Sequence, residues 1–168
     1  MIQVITIFGA IWVLGWILSP KKTKSGIEIK VDADSQARYP IEYVSIINNT
    51  AQQLGLDPDL IAAIIYVETG GRNVTGDQGR SFGLMQVQYG TARDMGFKGQ
   101  PDDLMNPVSS IFFGSKYLKN RIDKYGLEFG VLGYNTGTPI RNGIIFDPND
   151  YRRKVFSALK RFKQQRIS

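Results

Sequence analysis

Residues 60–71 read LIAAIIYVETGG, an apolar run that ends in one acid and two glycines. Three- and four-residue spacing places side chains on one face of a helix, and this spacing joins Ile61, Ile64, Ile65 and Glu68. We expect that face to be buried, with Glu68 at its edge in the last turn. The stretch therefore predicts a core helix that carries a single carboxyl group at its end.

The position of Glu68 has a consequence for its protonation. Loss of hydration and the negative end of the helix dipole both disfavour the ionised form, so both should raise the pKa of the Glu68 carboxyl. A carboxyl group that is protonated near neutral pH can donate a proton to a leaving oxygen. The common alternative is a glutamate that simply points to water, and Glu68 alone does not identify an active site.

Two further segments, SFGLMQ ending at Gln86 and GYNTG around Tyr134, carry neutral polar groups. The thioether of Met85 suits an irregular apolar groove, and the amide of Gln86 both donates and accepts hydrogen bonds. Tyr134 and Asn135 stand between glycines, where a backbone can approach a ligand closely. Sugars and N-acetyl groups need such partners. Each residue also has a purely structural interpretation: Met85 as core, Tyr134 as a half-buried aromatic, Asn135 as a turn residue.

Together the three segments resemble the lytic transglycosylases of the soluble-lytic-transglycosylase type, glycoside hydrolase family 23. The resemblance runs over residues 41–162. The sequence differs from the common family pattern at Thr69, where Ser is frequent, and at Gly133, where Ala is frequent; both changes exchange small residues. The other segments that carry the resemblance are LDPDLIAA (56–63), TARDMGF (91–97), LMNP (104–107), GSKYL (114–118) and YG (125–126).

The resemblance implies a mainly α fold, a lysozyme-like transglycosylase domain, that cleaves the β-1,4 bond between N-acetylmuramic acid and N-acetylglucosamine in peptidoglycan. Glu68 would protonate the glycosidic oxygen and then take the proton of the sugar's C6 hydroxyl, which closes a 1,6-anhydro ring. Tyr134 would hydrogen-bond and orient Glu68. By the same resemblance, the groove that binds the glycan is lined by Ser81, Met85, Gln86, Tyr134 and Asn135.

A second carboxylate is not evident. Ordinary glycosidases need one to hold a water or to attack the sugar ring. Asp77 and Asp94 are the nearby acids, and nothing in their sequence context marks a nucleophile. One acid in a dry groove fits the intramolecular route. The alternatives are a hydrolytic lysozyme and an inactive glycan-binding or structural wall-contact protein.

The chain contains no histidine and no cysteine. This excludes Ser-His-Asp and Cys-His catalysis, thiol nucleophiles, disulfides and zinc sites built on histidine or cysteine. We expect no metal and no cofactor. A chain of 168 residues is long enough for one domain with a hydrophobic core.

The spacing of apolar residues predicts further helices. One covers residues 42–54 and ends at Gly55, and Asp57 caps the next helix with Pro58 at its first position. Residues 70–83 are predicted to form a long loop or a small irregular strand region. The remaining predicted helices cover residues 89–95, 107–125, 127–134 and 150–163.

Residues 1–19 carry no charged side chain and are long enough to cross a bilayer. We therefore predict an N-terminal transmembrane helix as an anchor over residues 1–20, a linker over 21–40 and a catalytic domain over 41–168. A cleaved signal peptide is the alternative, but the segment lacks the basic start and small-residue cleavage site of such peptides.

Lys21, Lys22 and Lys24 directly follow the predicted anchor. The positive-inside rule then places the domain on the cytoplasmic side, whereas peptidoglycan lies on the other side. Either the rule fails and the protein faces the periplasm from a bacterial inner membrane, or it belongs to the virion membrane of a membrane-containing phage. The second location keeps the charge rule and is favoured. The expected partners are peptidoglycan strands, the membrane, and virion or envelope-complex proteins.

The net charge of +6 is concentrated near the C-terminus. We expect a final helix whose apolar stripe packs on the domain and whose basic face is solvated. Such a face would alternatively attract polyanions. No segment resembles a nucleic-acid-binding module, so no specific nucleic-acid partner is expected. The basic residues are Arg152, Arg153, Lys154, Lys160, Arg161, Lys163 and Arg166.

Overall fold

Residues 40–167 are described by a computed structural model, and most of them are helical. The predicted mainly α-helical fold is confirmed. The helices are α1 (Val44–Leu54), α2 (Pro58–Thr69), α3 (Tyr89–Asp94), α4 (Pro107–Tyr125), α5 (Leu127–Thr136) and α6 (Tyr151–Ile167).

Local signals set the two ends of α2. Oδ1 of Asp57 accepts a hydrogen bond from the backbone N–H of Asp59 at 2.9 Å, and Pro58 occupies the first turn. The helix ends at Thr69 because Gly70 adopts φ +63°, a left-handed conformation that favours glycine. The predicted Asp57 cap and the predicted position of Glu68 in the last turn are therefore both confirmed.

Helix α2 lies at the centre of the core. Ile61, Ile64 and Ile65 are fully buried, as the spacing predicts. Helices α2 and α6 run in opposite directions, since Lys163 pairs with Asp57 at one end and Tyr151 meets Glu68 at the other. This pairing brings the first residue of α6 to the last turn of α2.

Short strands fill the region between α2 and α3. Strands β1 (Thr75–Gly76), β2 (Ser81–Phe82) and β3 (Val87–Gln88) form an antiparallel sheet in the order β1-β2-β3, in which Ser81 pairs with both Gly76 and Gln88. The small strand region predicted as one alternative for this stretch is thus present. A second antiparallel pair, β4 (Ile140–Arg141) and β5 (Ile144–Ile145), follows α5.

Several predicted boundaries are wrong by a few residues. Helix α1 begins at Val44 because residues 41–43 form a tighter 3-10 turn, and α5 continues two residues beyond Tyr134. Helix α6 begins at Tyr151 and extends beyond Lys163. The predicted anchor and all but the last residue of the predicted linker lie outside the described residues. None of the helices within residues 40–167 combines the length and the hydropathy of a membrane span.

Helix α6 packs on the domain through its apolar stripe, in which Val155 and Phe162 are fully buried. Part of its basic face is neutralised by neighbouring acids. Arg152 lies 3.1 Å from an Oε atom of Glu128, and Lys163 lies 2.7 Å from Oδ2 of Asp57. The packed final helix of the prediction is confirmed.

Candidate active site

A cavity of about 540 Å³ opens between the end of α2, the small sheet and the end of α5. Five of the six site residues predicted from the sequence share this cavity, and Met85 does not. Its lining residues are Glu68, Asp77, Ser81, Gln86, Val87, Gln88, Thr91, Tyr117, Tyr134, Asn135, Thr136 and Gly137.

Glu68 reaches the cavity from the last turn of α2 and is half-buried. Burial raises the pKa of the Glu68 carboxyl from 4.5 to about 7, although a hydrogen bond from Tyr151 acts in the opposite direction. The direction agrees with the prediction. A carboxyl with this pKa exists in both protonation states near neutral pH, so it can donate a proton and later accept one.

The end of α2 is tied to the segment that follows β2. The hydroxyl of Thr69 lies 3.1 Å from the carbonyl oxygen of Ile65 and 3.0 Å from that of Leu84, and Thr69 is buried. Because Thr69 follows Glu68 directly, this contact fixes the end of α2, and with it the candidate acid, relative to the turn between β2 and β3.

The phenol that contacts Glu68 belongs to Tyr151, not to Tyr134. The Tyr151 hydroxyl donates to Oε1 of Glu68 at 2.6 Å. The Tyr134 hydroxyl instead donates to the carbonyl oxygen of Met85 at 2.6 Å, so the predicted hydrogen bond from Tyr134 to Glu68 is wrong. Burial raises the pKa of both phenols well above 10, and the nearby Glu68 adds to this effect. Both tyrosines therefore stay neutral donors.

Met85 does not line the groove, which corrects the prediction. Its side chain is fully buried, and the Ser115 hydroxyl lies 3.6 Å from its sulfur. Gly114 makes room for it, since a Cβ there would lie 2.8 Å from the Met85 sulfur and 3.1 Å from the Tyr134 hydroxyl. The apolar thioether is more stable in the core, and only its backbone carbonyl serves the site by holding Tyr134.

Gln86 is held with its amide turned into the protein. Its Nε2 donates to the carbonyl oxygens of Val74 and Gly83, both at 2.9 Å, which leaves Oε1 as its available acceptor. Ser81 lines the cavity but is only 7% exposed, whereas Asn135 is exposed. Of these three predicted residues, Ser81 brings a hydroxyl to the cavity wall, and Gln86 and Asn135 each bring an amide.

Sequence reasoning missed Tyr151, Asp77, Thr91 and Tyr117. Tyr151 stands at the start of a helix 83 residues from Glu68, and no local pattern joins the two. The sequence draws attention to Asp77 only as a possible nucleophile. Its position in the cavity depends on the fold of β1 and β2. In the part of the chain that the structure describes, no group of three or more acidic side chains could hold a metal ion.

Residues 45–145 match the family model described as "Transglycosylase SLT domain". The chain is 37% identical over 99 residues to the endo-type membrane-bound lytic murein transglycosylase A of Enterobacter sp. (strain 638). It is 35% identical over 99 residues to the protein of the same name from Cronobacter sakazakii. Each alignment covers 55% of this chain and 46% of the relative. The chain spans about half the length of the curated relatives it matches.

Two solved structures share the fold. One is an inactive mutant of the lytic transglycosylase Slt from Pseudomonas aeruginosa, with a TM-score of 0.66 at 22% identity. The other is the 70 kDa soluble lytic transglycosylase Slt70 from Escherichia coli, with a TM-score of 0.66 at 21% identity. Each match covers 76% of this chain and 25% of the larger protein. The predicted lysozyme-like helical domain is confirmed at the level of fold.

Proposed function

Since the chain belongs to the transglycosylase SLT domain family, we propose that it is a peptidoglycan lytic transglycosylase of glycoside hydrolase family 23. The observation that carries the proposal is the Glu68 carboxyl, which faces the cavity with its pKa raised to about 7. The names of the similar Enterobacter and Cronobacter proteins support the same activity. The substrate is the β-1,4 bond between N-acetylmuramic acid and N-acetylglucosamine.

In the first step the protonated Glu68 donates to the glycosidic oxygen, and the bond to the N-acetylmuramic acid carbon breaks. Tyr151 occupies Oε1 of Glu68, so Oε2 is left to carry the proton. Because Tyr151 is buried and remains neutral, it fixes the carboxyl without becoming a competing anion. Partial burial of Glu68 keeps a useful fraction of it protonated at neutral pH.

In the second step the Glu68 carboxylate takes the proton of the C6 hydroxyl on the same sugar. The C6 oxygen bonds to the anomeric carbon, which closes the 1,6-anhydro ring and regenerates the protonated acid. No water is consumed. A pKa of about 7 suits both halves of the cycle, since neither protonation state is strongly disfavoured at neutral pH.

Most of the side chains that line the cavity are neutral and polar, which suits a glycan. Ser81 and the exposed Asn135 offer donors and acceptors that hydroxyl and acetamido groups can use, and the Gln86 side chain lines the same cavity. Tyr134 belongs to the same wall, where its hydroxyl is already engaged by the Met85 carbonyl. We propose Glu68 as the catalytic residue and Ser81, Gln86, Tyr134 and Asn135 as glycan-contacting residues.

Mass spectrometry of digested peptidoglycan tests the activity. We expect the wild-type protein to release fragments with 1,6-anhydro-N-acetylmuramic acid ends. Glu68→Gln should abolish their release while the protein keeps its fold. Glu42→Gln is the matched control, because Glu42 is an exposed glutamate that undergoes the same chemical change. Full activity of Glu68→Gln would remove this residue from the mechanism. Reducing ends would identify a hydrolytic lysozyme, and binding without release would identify an inactive glycan-binding protein.

For the location, we propose a membrane anchor over residues 1–20, a linker over 21–40, and a role in local wall opening during entry of a membrane-containing phage. The uncharged composition of residues 1–19 supports the anchor, and the lysines that follow support a domain that starts on the cytoplasmic side. Protease treatment of spheroplasts of producing cells tests this. A protected domain supports the virion location, whereas a digested one indicates an inner-membrane enzyme that faces the periplasm.

A further inference from the structure

The loop between β1 and β2 carries an acid into the cavity on a strained backbone. Asp77 adopts φ +49°, Gln78 φ +56° and Gly79 φ +88°. Residues other than glycine rarely adopt this left-handed backbone conformation, although aspartate and asparagine adopt it more readily than most. Such conformations persist only where the surroundings enforce them, and they cluster at ligand-binding sites. Asp77 lines the same cavity as Glu68.

Arg80 holds Asp77 by both its side chain and its backbone. Nη2 of Arg80 lies 2.7 Å from Oδ1 of Asp77, and Nε donates to the Asp77 carbonyl oxygen at 3.1 Å. Within residues 40–167, Oδ2 of Asp77 has no hydrogen-bond partner. The Asp77 side chain is 44% exposed. One carboxylate oxygen is thus fixed by the guanidinium, and the other is available to a ligand.

The other end of the loop is fixed by Gln86. A Cβ atom at Gly76 would lie 2.0 Å from Oε1 of Gln86, so the Gln86 amide packs directly on the backbone of β1. Nε2 of the same amide donates to the carbonyl oxygen of Val74, the residue before β1. Residues on both sides of Asp77 are therefore held, and the acid is presented on a rigid support.

We propose that Asp77 is a substrate-binding residue that accepts a hydrogen bond from a hydroxyl or acetamido N–H of the glycan. This deepens the proposed function and rests on it for the identity of the ligand. The other cavity groups that face a sugar are neutral or donate a proton, whereas a carboxylate only accepts and forms stronger, charge-assisted hydrogen bonds. The contact orients the sugar relative to Glu68, and Asp77 takes no part in proton transfer.

Binding in a variant that cannot cleave gives the direct test. In a Glu68→Gln background, calorimetry measures the affinity for a soluble oligomer of β-1,4-linked N-acetylglucosamine. Adding Asp77→Asn should weaken binding about tenfold, the scale of one hydrogen bond to a charged group. Adding Asp94→Asn is the matched control, because Asp94 is an exposed aspartate outside the cavity lining. Equal affinity of the two double variants would overturn the proposal, as would a parent variant that binds no oligomer.

Asp77→Gly separates ligand binding from loop structure. Glycine adopts positive φ without strain, so this variant should keep the loop conformation while it loses the same affinity. Retained affinity in Asp77→Gly would show that the carboxylate does not contact the glycan.

Product analysis distinguishes this proposal from the activity itself. In the otherwise wild-type protein, Asp77→Asn should slow cleavage while the products keep their anhydro ends. If the wild-type protein instead releases reducing ends and Asp77→Asn loses them, Asp77 is a base for water, which contradicts a positioning role. If the wild-type protein cleaves nothing but Asp77→Asn still weakens oligomer binding, the proposed activity fails and the binding role stands.

Discussion

The phenolic oxygen of Tyr151 lies 2.6 Å from Oε1 of Glu68, although 83 residues separate them in the chain. This contact joins the first residue of α6 to the last turn of α2, and the antiparallel packing of these helices makes it possible. It gives the half-buried acid one fixed partner. Several consequences for activity and stability depend on this pair and on its immediate supports.

Replacing Tyr151 by phenylalanine should lower kcat/KM and shift its pH dependence. The wild-type profile should fall above pH about 7, because the proton on Glu68 is then lost. The hydrogen bond from Tyr151 lowers the pKa of Glu68, so its removal should move the alkaline limb to higher pH. Turbidity loss of peptidoglycan suspensions, recorded from pH 5 to 9, measures both effects.

Tyr134→Phe is the matched comparison for this experiment. Its hydroxyl donates to the carbonyl oxygen of Met85 and not to Glu68, so the variant should lose activity without moving the alkaline limb. Identical shifts in the two variants would show that the Tyr151 contact has no specific effect on the acid.

The stability of the protein should depend on the protonation of Glu68. The folded-state pKa of about 7 lies above the ordinary value of 4.5, so the folded protein binds more protons between these values. The stability contributed by the neutral carboxyl is fully present below pH 4.5 and is lost as pH rises through 7. The free energy of unfolding of Glu68→Gln minus that of the wild type should therefore increase as the pH rises through this window, by up to about 3 kcal/mol.

Urea unfolding at pH 4.5, 6 and 8 measures this difference. The Glu42→Gln variant controls for the chemical change itself, since Glu42 is an exposed glutamate. A constant difference between Glu68→Gln and the wild type at all three pH values would contradict a raised pKa at Glu68.

Gly114→Ala should destabilise the protein although it adds a good helix former to α4. A Cβ atom there would lie 2.8 Å from both Cβ and the sulfur of Met85, so we expect a loss of about 1–3 kcal/mol from overpacking. It should also lower activity, because the Tyr134 hydroxyl is next in its path. Gly90→Ala in α3 is the control, because nothing lies within 4 Å of a Cβ atom added there. Its free energy of unfolding should increase by about 0.5 kcal/mol. Thermal unfolding ranks the two variants, and equal stability would refute the packing argument.

Thr69→Val should remove the hydrogen bond that ties α2 to the segment after β2. Valine keeps the shape but leaves the buried carbonyl of Leu84 without its donor, which costs about 1–3 kcal/mol. Thr69→Ser keeps the hydroxyl and should remain within about 0.5 kcal/mol of the wild type. Chemical unfolding compares them; a valine variant as stable as the serine variant would show that the tether is unimportant.

Local patterns were sufficient for much of the helical framework. The Asp57 cap, the Gly70 stop and the buried face of α2 each depend on residues within a few positions of one another. Helix ends were less certain, since α1 and α6 begin where a 3-10 turn competes with the α-helix. The prediction that Met85 lines the groove was wrong, because a thioether next to a polar amide is compatible with either a groove or a core.

A helical domain and an acid with a raised pKa follow from the chain's local pattern, because helix periodicity and the burial of one helix face depend on short-range spacing. In contrast, the contact of Tyr151 with Glu68, the hydrogen bond from Tyr134 to the Met85 carbonyl and the position of Asp77 in the cavity are evident only from the packed fold. These contacts depend on how α6 crosses α2 and how a strained turn between β1 and β2 projects its side chain. Packing of distant elements sets both, and no neighbouring residue in the chain encodes it.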